Sequence, residues 1–511
     1  MSLVLACDLG SSSFRAALLD AAGHVRWQHQ APARLPVEGE RSEIDPEDWW
    51  RLLQDAARVL EDAAGAAFEA VRAVAICGIT RTQVFLDRDG RVLRPAITWA
   101  DRRAAGVAEA LAATLPADWP ETAQLNAFHP AARLAWLRER EPERFGRLGA
   151  VLDPKDFLNF RLTGRMATDR VSGARLAAAA APDTRGGRLL DRLGLGAGVV
   201  VPELLPTAQL GTVREGLPGA LGQLAGRAVF SLSNDTWAAV VGLGAMRPGL
   251  AYNIAGTTEV FGVIGAEAAV APGLPSVDWG ERAQQLGGPS QSGGDGIAWV
   301  LDLLAGAGGR DAAAAAGPDA GAALDRLLAG PRDAAPAIFL PFLQGERTPF
   351  WDPALRGAFL GLNRRHGPTD LAFAVLEGLA CLNRTVLERA EAALGQRVAE
   401  IRIGGGGAGN PAWCGIKADL CGRPVIVGEA AEPGLLGAAA VAWTGLGAFP
   451  DLAAAQAVLV RVARRHAPDP VRHAAYAPLF AAWTAAVAAA RPLAPALAAL
   501  RTPPRLDPSP N

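Results

Sequence analysis

A carboxylate that follows a strand and opens a helix of small residues is well placed to take a proton, and Asp235, in VFSLSNDTWAAVVGLGA, has that setting. It could accept the proton of an attacking hydroxyl, the role of the base in a kinase. It could equally cap the helix TWAAVVGL. The neighbouring Thr236 shares the position.

Phosphate is usually cradled by backbone N–H groups in a tight turn of small residues, because bulky side chains would exclude the oxyanion. Two turns meet that requirement: Gly10-Ser11-Ser12-Ser13 and Gly256-Thr257-Thr258. Each is also an ordinary hairpin turn between strand-like runs, LVLACDLG with FRAALLD, and AYNIA with EVFGVIG. Asp8 stands two residues before the first turn. It could hold Mg²⁺, a cation that prefers one or two carboxylates plus phosphate oxygens. Asn253 stands three residues before the second turn, and the likeness suggests two halves of related design.

A third glycine cluster, Gly404 to Gly409 followed by Asn410, lies between the strand EIRI and the helix PAWCGIKADLCG. Gly406, Gly407 and Asn410 would let a nucleotide approach the backbone at the helix N-terminus. The cluster also fits the dinucleotide pattern G-x-G-x-x-G, with Glu429 downstream, so an NAD-dependent oxidoreductase is the alternative reading. A P-loop is excluded, since the only two lysines, Lys155 and Lys417, do not follow a glycine.

These residues need rigid supports. Strands are expected at AVAICGI, RAVFSLS, AIFLPFL, AEIRIGG and RPVIVG, with helices between them, the first running from a cap at Asp45 and Pro46. Strands alternating with helices indicate an α/β protein. With 511 residues the chain should form two large domains, 1–245 and 246–500, the boundary falling near Met246-Arg247-Pro248-Gly249. The Ala/Gly-rich stretch from Ala305 to Gly330 reads as peripheral and the tail 501–511 as disordered.

Half the residues are hydrophobic and a fifth charged, and 50 basic residues nearly cancel 52 acidic ones. No strong field draws in nucleic acid or an anionic membrane, so a small-molecule partner is expected. The five scattered cysteines suit a reducing compartment, and the N-terminus lacks a leader pattern, which points to the cytoplasm.

The set as a whole resembles the FGGY family of carbohydrate kinases. GAFLGLNRRHGPTDLAFAVLE, Gly357 to Glu377, matches the family's C-terminal signature, and HPAARLAWLRER matches an earlier one, with Arg133 where the family usually has lysine. ACDLGSSSFRAALLD, ITWADRR, DPKDFLNFRLTG and PGLLGAAAVAW follow the family's order along the chain. The resemblance implies two ribonuclease-H-like α/β domains of the actin-like ATPase superfamily, with ATP and sugar meeting in the cleft between them. It implies Asp235 as catalytic base and Asp8 as the Mg²⁺-associated carboxylate. Gly10, Ser11, Ser12, Gly256, Thr257, Thr258, Gly406, Gly407 and Asn410 would bind ATP. Thr80, Arg81, Trp99, Asp101, Asp235 and Thr236 would face the sugar. Xylulose kinases tend to carry Gln-Met-His-Gly where this chain has Gly78-Ile79-Thr80-Arg81-Thr82, and Asn where it has Thr236. A ketopentose such as D-xylulose is the leading acceptor, with another ketose, a polyol or a sugar acid open. ATP, Mg²⁺ and a small sugar are the expected ligands, and a homodimer the expected assembly.

Overall fold

The computed structural model describes residues 1–115, 125–181, 189–194, 200–205, 209–280, 282–305 and 320–500. It divides into two compact units. The first comprises Met1–Gly244 with Glu432–Arg461, the second Ala245–Ala431 with Val462–Asn511. The first crossing, between Gly244 and Ala245, lies close to Met246, and the segment Glu432–Arg461 groups with the first unit. The tail 501–511 and most of the Ala/Gly-rich stretch, 306–319, lie outside the described residues.

The first unit is built on six strands: β1 Leu3–Leu9, β2 Ser13–Leu19, β3 Val25–Pro32, β4 Val71–Gly78, β5 Gln209–Thr212 and β6 Ala228–Ser231. Their order across the sheet is β5-β6-β4-β1-β2-β3. β1, β2 and β3 form an antiparallel meander, β4 and β6 extend it in parallel with β1, and β5 closes the edge antiparallel. Every residue of β1 is buried, as a strand covered on both faces requires, whereas β3 at the edge alternates exposed and half-buried residues. The helix Pro46–Ala64 leads into β4. Asp45 caps it by accepting the Glu47 N–H, and Trp49, Trp50, Leu53, Ala56, Ala57 and Leu60 make its buried face.

The second unit repeats the plan with β7 Leu250–Ala255, β8 Glu259–Gly265, β9 Ser276–Asp278, β10 Gln284–Pro289, β11 Ile401–Gly404, β12 Val425–Gly428 and β13 Val462–His466. The order is β9-β10-β8-β7-β11-β12-β13. Again an antiparallel hairpin (β7, β8) continues through two parallel strands, β11 and β12, and ends on an antiparallel edge strand. The helices Pro368–Leu394 and Pro411–Cys421 supply the crossovers to β11 and β12. The two small-residue turns therefore occupy the same place in two sheets of the same topology, after the central strand of each.

Glu432–Arg461 joins the first unit through the helix Pro433–Gly445, whose residues Pro433 to Trp443 are all buried. It packs backbone to backbone on the helix Asp235–Gly242. A Cβ on Gly437 would lie 1.9 Å from the Ala238 carbonyl oxygen, and one on Gly242 would lie 1.8 Å from that of Pro433. Only glycine permits this approach, and it brings the starts of both helices to the end of β1 that carries Asp8.

Candidate active site

In the first unit Asn234, not Asp235, caps the helix: its side-chain oxygen accepts the Trp237 N–H at 3.0 Å. Asp235 is thereby released from the capping role that the sequence left open to it. Its Oδ1 accepts the Thr236 N–H at 2.6 Å and the Thr236 hydroxyl at 3.3 Å. Burial raises the Asp235 carboxyl above the usual carboxylate range, and the two Thr236 bonds and the Arg81 charge partly offset it.

Asp8 shares this end of the unit. Burial first, then repulsion from Asp235, pushes its carboxyl up to about 7, with Arg15 and a Cys77 hydrogen bond opposing and Glu432 adding to the rise. Arg15 lies 3.9 Å from Asp8 and 3.2 Å from Glu432. Two carboxylates thus share one guanidinium, and the Asp235 charge acts on Asp8 as well. A Cβ on Gly434 would meet Asp8 Oδ2 at 2.7 Å, so the return helix leaves no room beside this carboxylate except at its exposed edge. Among the described residues no group of three or more His, Cys, Asp or Glu side chains could hold a metal by itself.

The loop after β4 and the Trp99 loop flank the same region. The Trp99 indole N–H donates to Ser11 Oγ at 2.9 Å, and its backbone N–H donates to Thr82 Oγ1 at 3.1 Å. The Trp99 side chain is 42% exposed. Asp101 is set back instead, 1% exposed, accepting from the Ser42 N–H at 2.7 Å and from the Arg103 guanidinium at 2.6–2.9 Å. Arg81 adopts a left-handed backbone (φ 57°), and with Thr80 it lines a cavity that extends to Asp153, Ser172 and Arg175.

Arg133 is fully buried among neutral acceptors. It donates to the carbonyls of Ala127 (3.1 Å), Arg81 (2.9 Å), Ile97 (2.8 Å) and Thr98 (2.5 Å), and to the Gln83 side chain. One guanidinium fork therefore ties the loop after β4 to the loop before Trp99. A single ammonium could not serve five acceptors with three protons. Sequence reasoning flagged the substitution without its purpose. The spread of its partners over three segments is not a local pattern.

In the second unit the Gly256–Thr258 turn is closed by Gly256 N–H to the Thr258 carbonyl at 3.1 Å. Its carbonyls accept from the start of the next helix, Gly294 N–H to Gly256 at 2.9 Å and Asp295 N–H to Thr257 at 3.0 Å. The third glycine cluster packs on the same strand end. A Cβ on Gly405 (φ +84°) would lie 2.7 Å from the Ala255 carbonyl oxygen, and one on Gly407 would lie 2.7 Å from Ala255 Cβ, while one on Gly406 would meet open space. Asn410 caps the helix Pro411–Cys421 through the Trp413 N–H (2.8 Å) and donates to Asp325 (2.9 Å). The predicted nucleotide residues of this unit thus converge.

Lys417, unassigned by sequence, lies beneath them. Its ammonium donates to Asn253 (2.8 Å), Glu259 (2.6 Å) and Asn383 (2.5 Å), so it ties together both strands that flank the turn.

Comparison with known proteins is decisive for the family. Residues 3–242 match the N-terminal domain, and residues 251–446 the C-terminal domain, of the FGGY family of carbohydrate kinases. The chain belongs to the FGGY family. The xylulose kinase of Escherichia coli (strain K12) is 30% identical over 93% of this chain and 96% of that protein. A glycerol kinase of Aromatoleum aromaticum is also 30% identical, over 88% and 90%. The crystal structure of xylulose kinase from Rhodospirillum rubrum superposes with a TM-score of 0.83 at 26% identity, covering 96% of this chain and 99% of that one. The FGGY chain is therefore an ATP-dependent carbohydrate kinase, a phosphotransferase with an alcohol acceptor. The glycine cluster at 404–409 lies within its C-terminal kinase domain, which displaces the oxidoreductase alternative. No helix among the described residues is long and apolar enough to cross a membrane.

Proposed function

We propose that Asp235 is the base that takes the proton from the acceptor hydroxyl as that oxygen attacks the γ-phosphorus of ATP, releasing ADP. The observation that carries this reading is that Asp235, next to a cap that Asn234 already supplies, is a half-buried carboxylate held by Thr236 and under the influence of Arg81. Its raised proton affinity favours it as an acceptor, and the Thr236 N–H fixes one oxygen so that the other faces the hydroxyl.

The Gly256–Thr258 turn and the Gly406–Asn410 loop offer backbone N–H groups to ATP, and Gly10, Ser11 and Ser12 offer the matching turn of the first unit. Asp8 suits Mg²⁺, because Asp8 and Glu432 share the single Arg15 guanidinium while Asp235 adds its charge, and that excess of carboxylate calls for a cation. A single carboxylate completed by water and phosphate oxygens is the usual Mg²⁺ arrangement. The bound ion would neutralise charge on the phosphates during transfer. Asp8 and the Arg15–Glu432 pair orient that site.

The acceptor is a small carbohydrate of about ketopentose size, with Thr80, Arg81, Trp99 and Thr236 contacting it. Asp101 acts indirectly by holding the Trp99 loop. D-xylulose and glycerol are the first neutral acceptors to try, since a xylulose kinase and a glycerol kinase are both 30% identical to this chain. A coupled ADP-release assay over ketoses, polyols and sugar acids tests the reading: acceptor-dependent ADP release is expected, and ATP turnover indifferent to every acceptor would contradict it. The protein is expected to work in the cytoplasm, and a homodimer remains part of the proposal.

A further inference from the structure

The first unit holds a partly open cavity of about 40 Å³, lined by Thr80, Arg81, Phe128, Asp153, Ser172 and Arg175 among others. By this measure one water needs on the order of 10–15 Å³, so the cavity admits an end group of two or three heavy atoms and not a whole sugar. Its charged lining consists of Arg81, Arg175 and Asp153.

Arg175 makes no hydrogen bond or salt bridge among the described residues, and the Asp153 charge acts on it. Asp153 stands at the N-cap position of the helix Pro154–Thr163 but does not cap it. Its carboxyl is raised well above the usual range by burial first and then by Asp156 and Asp169, with Lys155 and Arg175 opposing. Asp156 and Asp169 are themselves committed to Lys155, at 2.6 and 2.9 Å. Of the carboxylates here, Asp156 and Asp169 are thus engaged by Lys155, while Asp153 and Arg175 face the same cavity with no salt bridge between them, each acting on the other through its charge alone. A half-buried guanidinium that makes no hydrogen bond among the described residues has its fork of donors left to offer an anion or several oxygens.

The cavity also has a defined relation to the chemistry. Arg81 lines it, and the Arg81 charge reaches Asp235. An acceptor whose reacting hydroxyl lies at Asp235 would direct its far end past Arg81 toward Arg175.

We infer that Arg175, with Arg81 at the entrance, reads a carboxylate at the end of the acceptor remote from the phosphorylated hydroxyl, so that the preferred substrate is a sugar acid. This rests on the kinase reading above. Asp153 faces the same end group and selects against a second negative charge.

The test uses the full-length enzyme with matched pairs that differ only in the end group, D-arabinonate against D-arabitol and D-gluconate against D-sorbitol, with D-xylulose as neutral reference. Acceptor-dependent ADP release should favour at least one acid over its matched polyol roughly tenfold or more in kcat/KM, and Arg175→Gln should shrink that advantage roughly ten- to a hundredfold, mainly through KM. Arg175→Lys should restore part of it. Thermal denaturation of both variants checks that they fold, and the acid should raise the wild-type Tm more than that of Arg175→Gln. A neutral acceptor used in preference to every acid, or an equal loss on acid and polyol in Arg175→Gln, would overturn the inference and leave the kinase reading standing. Absence of acceptor-dependent ADP release with all of them would overturn both.

Discussion

Arg133 donates from Nη1 to the main-chain carbonyl of Arg81 over 2.9 Å, and so pins the one loop residue whose left-handed backbone carries a long cationic side chain toward the acceptor region. The same guanidinium has no carboxylate on it, and burial lowers its proton affinity to about 9, the Asp101 charge partly restoring it.

Replacing the guanidinium by an ammonium, as Arg133→Lys, should leave two or more of its five acceptors without a donor. At about 1–3 kcal/mol for each buried group left unsatisfied, a loss of roughly 2–6 kcal/mol in unfolding free energy is expected, with a higher KM for the acceptor. Urea denaturation and steady-state kinetics measure both. Unchanged stability would mean that the loops hold themselves.

Lys417 should behave as a buried structural cation. Lys417→Met leaves Glu259 uncompensated beneath the Gly256–Thr258 turn and should cost roughly 3–5 kcal/mol, while raising KM for ATP. The double variant Lys417→Met with Glu259→Gln should recover much of that loss. Additive losses in a double-mutant cycle would contradict the coupling.

Gly437→Ala tests the helix contact that brings Glu432 and Gly434 to Asp8. A Cβ 1.9 Å from a carbonyl oxygen forces the helices apart, an overpacking cost of roughly 1–3 kcal/mol. Turnover should fall more than stability does, because Asp8 and Asp235 lie at the ends of the displaced elements. A variant with normal turnover would show that this contact only supports the fold.

His129 gives a pH signature. Its Nδ1 accepts the Ala131 N–H, and burial, with a contribution from Arg175, lowers its pKa to about 3 from 6.5. The folded state holds fewer protons than the unfolded one between these values. The stabilisation from neutral His129 is complete above about 6.5 and is lost as pH falls toward about 3, at on the order of 1.4 kcal/mol per pH unit. His129→Asn keeps a cap and removes the titration. Its unfolding free energy should decline less steeply across that window than the wild type's, and parallel curves would contradict the assignment.

Much of the layout is legible in sequence because its signals are local. Asp45-Pro46 marks a helix start, and the glycine turns between apolar runs mark the two hairpins that repeat across the units. The return of Glu432–Arg461 to the first unit is not legible. PGLLGAAAVAW announces a helix buried all round, but nothing in it says which surface does the burying. Asn234 and Asp235 are adjacent residues of equal capping ability, and only the helix register separates cap from free carboxylate. Arg175, in ARLAAAA, reads as an ordinary surface cation until the cavity beside it is seen.

The central claim is that Asp235 takes the acceptor's proton. Its direct test is the turnover of Asp235→Asn with the best acceptor, measured beside MgATP binding by calorimetry. A positioned base contributes about 10²–10⁴-fold, so kcat should fall by that order while ATP affinity stays within about threefold of wild type. Near-normal kcat in a folded Asp235→Asn enzyme would contradict the assignment of the base.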